Sequence, residues 1–450
     1  MNQSSVWKVG GAFAASLVLL AGCASGQTST QGNDAVDPGA NVDETLSEAS
    51  GQVRVWSWTP DIETQLAVCQ ESYPNIEIIH ENQGVGEAQY EKLRTALSSG
   101  TGVPDLAHIA YSEVPGFVAL DALADISEFG AADLASEYAP GPWSSVALGN
   151  GIYGLPWDSG PMGFLYRTDI LEENGIDVPV TWDDFESAAR QLRAADSSAY
   201  LTSFAPANAT WFQALLWQGG SQPFKVNGNE LTISINDAAA KKVAAYWDRL
   251  IAEDLVATQA DFTDDWYRSL STGNIASWVT AAWGPSFLQG VAGDSTGLWR
   301  AAPMPQWTDG VYETSEYGGS AMAVLNASQN KAAAFVVLKC LMYEEEASSL
   351  WTTKQLLFPS KNAILNDPAF VGLEVEFYGN TPVNAMYAEA SAAVVSGWEW
   401  SPIQSFVVSE IASQVGAAAS SGGIEAALDR VQEAVVEYAE RQGFSVVSGQ

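Results

Sequence analysis

Basic residues are scarce in this chain: 19 Lys and Arg stand against 54 Asp and Glu, leaving a formal net charge of −35. That balance excludes nucleic acid as a partner, because phosphate contacts need a basic face. It disfavours an anionic small ligand too, although one well-placed Arg could still bind one. Histidine is rarer still, with only His80 and His108. They form no pair at ligand spacing, so each reads as a structural or surface residue and no metal site is expected. No Gly-x-Ser-x-Gly elbow, phosphate loop or zinc signature occurs, and no cofactor is implied. Paired carboxylates could serve a glycoside hydrolase. Among 54 acidic residues, however, such pairs arise by chance and count for nothing.

Long hydrophobic runs are missing as well. The one apolar stretch, Gly11 to Leu20, follows Lys8 and is too short to cross a bilayer as a stable helix. It closes on Leu20-Ala21-Gly22-Cys23, which resembles a bacterial lipobox. The resemblance implies a signal peptide over residues 1–22, cleaved before a lipid-carrying Cys23. The alternative is an ordinary secretory signal. Acyl chains would hold the protein at the outer face of the membrane, each buried methylene adding about 0.8 kcal/mol. Ala24 to Ser50, rich in Ser, Thr, Gly, Gln and Asp, has little to bury and reads as a flexible tether.

About 400 residues follow, enough for two or three domains. Val53 to Trp58 reads as a strand, Asp61 to Tyr73 as a helix and Ile76 to Ile79 as a second strand. A helix with Tyr90, Leu93 and Leu97 then precedes a third strand, Asp105 to Ala110. This alternation argues for a mostly parallel α/β sheet, whose ligands bind beyond the carboxyl ends of its strands. Those ends carry Trp58, Tyr111 and Glu113. Cys69 and Cys340 sit in two apolar helices. Buried inert thiols are the favoured reading, with a disulfide as the alternative in an oxidising location.

In Gly151 to Arg193, Gly154, Pro156, Gly160 and Pro161 break periodicity and expose Trp157 and Asp158. Thr181 then begins a helix as N-cap, with Asp184 in capping-box position. The run Tyr153-Gly-Leu-Pro156, Tyr166-Arg-Thr-Asp169, Gly175-Ile176, Pro179 and Thr181-Trp182 resembles the sugar-binding class of ABC-transporter solute-binding proteins (family 1, maltose-binding-protein-like). Gly102-Val-Pro-Asp-Leu106, Trp283-Gly-Pro285, Gly318-Gly319 and Phe358-Pro-Ser-Lys361 extend the match over the mature chain. The resemblance implies a two-lobed periplasmic-binding-protein-like α/β fold of type II, with three hinge crossings. The first two fall near Pro156 to Pro161 and Tyr317 to Gly319, and the third after Ile364. Lobe 1 is then 51–158 plus 319–370, and lobe 2 is 159–318 plus 371–450. It implies no catalysis. The expected partners are a mono- or oligosaccharide and the permease of an ABC importer, for a monomeric protein held to the membrane through Cys23.

Sugar binding needs aromatic faces for C–H patches and carboxylates or amides for hydroxyls. The 17 tryptophans suit it. Candidates from the first lobe and the crossing are Trp58, Tyr111, Glu113, Trp157 and Asp158. Asn208, Trp211, Trp217, Trp283, Tyr317 and Gly319 follow, with Trp398, Glu399 and Trp400 from Gly397-Trp-Glu-Trp-Ser401. Asp158 leads the polar candidates, and Trp283 with Trp398 the aromatic ones. Trp247, on an amphipathic helix, reads as core.

Overall fold

Val53 and Val55, fully buried on either side of Arg54, lie on the strand next to the centre of a five-stranded sheet. In the computed structural model, which describes residues 42–59, 61–350, 357–419 and 422–449, its order is Ile76–Glu81, Gly51–Trp56, Leu106–Ala110, Ser320–Val324, Leu155–Asp158. The first three strands are parallel, and Ser320–Val324 runs antiparallel to both of its neighbours. Helices Glu63–Ser72 and Glu87–Ser99 make the crossovers. The latter buries Tyr90, Leu93 and Ala96 and ends at Gly100, whose left-handed φ of 66° no branched residue adopts easily.

Helix Lys331–Met342, apolar almost all round, packs Phe335, Leu338 and Cys340 into the same core. Cys340 meets Cys69 there, and the two form a disulfide with Cα atoms 5.9 Å apart. The favoured reading of two free thiols is thereby corrected. Their separation of 271 residues hides the pairing, because only the sheet brings the two helices side by side. Residues 42–50, the last part of the expected tether, take part in the fold, and residues 24–41 lie outside the described residues. Val42–Ser47 is helical, and Leu46 and Ala49 pack against this core. Cys23 and the leader lie outside the described residues. Among the described residues no helix is long and apolar enough to cross a membrane.

The other half is built on Met162–Arg167, paired antiparallel with Ser277–Ala281 and Trp299–Pro303. Its helices Trp182–Ala195, Ala209–Gln218, Ala238–Ala252, Gln404–Ala419 and Ile424–Arg441 enclose one large apolar core. Thr181 and Asp184 form the expected reciprocal capping box. Trp247 is fully buried against Trp182 and Trp211, as its helical spacing implies.

Three stretches run side by side between the halves. Ser159 N–H donates to the Phe358 carbonyl, and Tyr317 N–H to that of Gly160. Asp158 bridges Pro359, and Pro161 bridges Glu316. Residues 158–162, 314–320 and 358–360 are therefore neighbours. The last lies upstream of the position expected after Ile364, and Phe358 already packs with Phe377 and Tyr387 of the second half. Gly160 is required by close approach, since a Cβ there would overlap the Tyr317 carbonyl oxygen. Gly318 and Gly319 are required by conformation, with φ of 88° and 90°.

Candidate ligand-binding site

The carboxyl ends of the parallel strands meet the crossing stretches along one edge of the first sheet. Half-buried Trp58 stacks on His108 at 3.8 Å between ring centroids, and His108 stacks on Trp157 at 4.3 Å. His108 Nε2 lies 2.7 Å from Ser320 Oγ, and its Nδ1 lies 3.3 Å from the hydroxyls of Ser57 and Thr59. The Ser320 hydroxyl donates to the Asp158 carboxylate. His108 Nε2–H must then donate to Ser320, while Nδ1 accepts. Burial pushes this imidazole down to about 3, so it stays neutral. Burial pushes Asp158 up to about 6, against the lowering pull of Ser320.

Several expected cleft residues are held inside instead. Trp157 is buried in the first-half core. Tyr111 is buried too, its hydroxyl donating to the Asp158 carbonyl at 2.8 Å and its ring lying against Gly319. Trp211 is core as well, with its indole N–H on the Val279 carbonyl at 2.9 Å. The reason is shared: each indole or phenol reaches a backbone acceptor or a ring partner only by turning inward. Glu113 accepts from Arg94 at 3.2 Å and from Ser405 of the other half at 3.0 Å, and burial raises its pKa.

Asn208, Trp283 and Tyr317, three of the expected residues, do come together. Asn208 caps helix Ala209–Gln218, accepting from Trp211 N–H at 3.0 Å. Its amide nitrogen donates to the Tyr317 hydroxyl at 2.8 Å and to the Asp261 carboxylate. Trp283, half-buried at the end of strand Ser277–Ala281, donates its indole N–H to the Tyr317 carbonyl at 2.9 Å. Its ring meets Tyr317 edge-on at 5.1 Å. Asp261 completes the group and escapes sequence reasoning, since nothing marks it among 54 acidic residues. Burial raises its pKa, partly offset by the Asn208 amide.

Trp398 and Trp400 lie elsewhere. Consecutive residues of an extended stretch point to opposite sides. Tyr317 faces Asn208, whereas Glu316 faces Gly141, which in turn packs near Val394. On that second side is a cavity of about 840 Å³, walled by Gly141, Tyr153, Trp217, Val394, Trp398 and Trp400, among others. Trp217 and Trp398 stack at 5.0 Å, and Trp400 stands edge-on to both. Glu399, the one charged residue of the cavity wall, accepts from Val226 N–H at 2.8 Å.

The family model for bacterial extracellular solute-binding proteins matches residues 57–347. The lactose-binding protein of Rhizobium radiobacter is 27% identical over 302 residues, covering 63% of this chain and 68% of its own. An arabinooligosaccharide-binding protein of Halalkalibacterium halodurans is 26% identical over 273 residues, 59% of this chain and 60% of its own. Among solved structures, the ABC transporter associated binding protein from B. animalis subsp. lactis Bl-04, in complex with beta-1,6-galactobiose, is 29% identical. It superposes with a TM-score of 0.75 over 88% of this chain and 99% of that one. The lacto-N-biose complex of the galacto-N-biose-/lacto-N-biose I-binding protein from Bifidobacterium longum, at 24% identity, supports the fold with a TM-score of 0.76 over 89% of this chain and 99% of its own. With its two halves, three crossing stretches and a match over most of its length, the chain belongs to the bacterial extracellular solute-binding proteins, two-lobed α/β proteins that bind rather than transform their ligands.

Proposed function

We propose that the protein captures a neutral mono- or oligosaccharide at the Asn208, Asp261, Trp283 and Tyr317 face and delivers it to the permease of an ABC importer. The observation that carries this reading is one half-buried indole beside an amide, a carboxylate and a phenol already oriented by mutual hydrogen bonds. Such a set offers a stacking face together with donors and acceptors for hydroxyls. The sugar ligands in the names of its relatives, lactose, arabinooligosaccharide and beta-1,6-galactobiose, point the same way.

The stretches 158–162, 314–320 and 358–360 serve as the hinge. A ligand touching both lobes favours the closed arrangement, which the permease then recognises. Trp58, half-buried beyond the carboxyl end of the first strand, would supply the first lobe's side. Lipid on Cys23 would hold this monomeric receptor at the outer membrane face. Titration calorimetry and thermal shift with lactose, beta-1,6-galactobiose and an arabinooligosaccharide test the reading. Stoichiometric binding with the sugar recovered intact is expected. Release of reducing sugar, or binding of a peptide or polyamine with no saccharide response, would overturn it.

A further inference from the structure

The cavity of about 840 Å³ on the Glu316 side of the crossing has no part in saccharide capture at the Trp283 face. Both halves wall it, the first with Gly141 and Tyr153, the second with Trp217, Trp398 and Trp400. Trp217 and Trp398 lie within 8° of parallel, and Trp400 stands at 85° to the first and 78° to the second. Clustered indoles are the surface that a cation selects, through the negative faces of the rings. The charges agree. Among the described residues no Lys, Arg or His borders this cavity, and the one charged residue of its wall is Glu399, set between two of the indoles. A second carboxyl stands beside the wall. Gly141 has no side chain, and a Cβ there would lie 3.0 Å from Glu316 Oε1. That oxygen is buried and has no hydrogen-bond partner, a costly state that packing alone does not explain. The groups facing it are the Asp158 carboxyl and the Tyr111 hydroxyl, while helix Pro140–Val146 and Val394 bring no charge.

We infer that this cavity is a second binding site, for an organic cation with a methylated ammonium head, recognised by the three indoles and by the Glu399 and Glu316 carboxyls. Its volume lies within the range of small-molecule sites. A neutral saccharide gains nothing from that charge, so the site is separate from the Trp283 face and does not depend on what binds there.

Calorimetry and tryptophan fluorescence with choline, benzyltrimethylammonium and 3,3-dimethyl-1-butanol, the uncharged carbon isostere of choline, test it. Both cations should bind one to one, and the isostere at least about tenfold more weakly, the scale of one cation–π contact. Trp400→Ala should weaken choline binding about tenfold, and Trp400→Phe less. Glu399→Gln, at a half-buried position, guards against misfolding and should weaken it about threefold or more. A bound cation draws the proton from Glu316, whose carboxyl burial pushes up to about 8. Choline affinity should therefore rise from pH 7 to 9 in the wild type and stay flat in Glu316→Gln. Equal binding of the isostere, unchanged affinity in both Trp400→Ala and Glu399→Gln, a flat wild-type pH profile, or failure of both cations to bind overturns the inference. None of these outcomes touches the saccharide reading, which fails only on the sugar titrations.

Discussion

Replacing Glu316 by Gln should remove a large part of the pH dependence of stability. Glu316 is almost wholly buried between the crossing stretches, and its Oε1 finds no hydrogen-bond partner. Burial first, and the charge of Asp158 second, push its carboxyl up to about 8 from 4.5. Because the folded value is the higher one, the unfolded chain releases its proton between pH 4.5 and 8 while the folded chain keeps it. Stability is therefore full below 4.5, falls as pH rises through that window and levels off above 8. At 1.36 kcal/mol per unit, the loss approaches about 3 kcal/mol by pH 7 and about 4 kcal/mol by pH 8. Gln preserves the shape of the protonated acid and has nothing to release. Urea unfolding of both proteins from pH 5 to 8 should give converging stabilities at the acid end and a widening advantage for the variant above pH 6. Parallel curves would refute the reasoning, since Asp158, raised only to about 6, would then carry the whole slope.

The same contacts set further outcomes. Trp283→Ala should weaken saccharide binding by about 10- to 100-fold in calorimetry, whereas Trp398→Ala should leave it within threefold, because the two indoles face opposite sides of the Glu316–Tyr317 stretch. Gly160→Ala should lower the melting temperature and change the ligand-induced compaction seen by small-angle scattering, as its Cβ would press on the Tyr317 carbonyl. The double variant Cys69→Ala, Cys340→Ala should lose about 2 to 5 kcal/mol in denaturant titration, because the bond closes a loop of 271 residues in the unfolded chain. A loss under 0.5 kcal/mol would mean the helices alone hold that interface.

The fold was largely legible from local signals. Alternation at Val53 and Val55, the Thr181 to Asp184 cap and the Trp247 stripe each report a short-range preference, and each forms as read. What stayed hidden depends on distant partners. Cys69 meets Cys340 only through the sheet, and residues 42–50, polar in composition, join the fold because Leu46 finds the core built by helix Lys331–Met342. For the candidate site, residue types were legible and burial was not. Trp157 and Trp211 look like their exposed counterparts in sequence, but Trp157 stacks on His108 within the first-half core and Trp211 sets its indole N–H on the Val279 carbonyl. Asp261 became visible only once Asn208 reached it.

The bond between Cys69 and Cys340 has a consequence for biogenesis. One half of the molecule is assembled from two separate pieces of chain, with residues 162–314 of the other half threaded between them as a guest. The sulfurs cannot join until this guest segment has been synthesised, whereas helices Gln404–Ala419 and Ile424–Arg441 of the other half still follow Cys340. A protease cut anywhere in the guest would leave the host's two pieces tethered to one another.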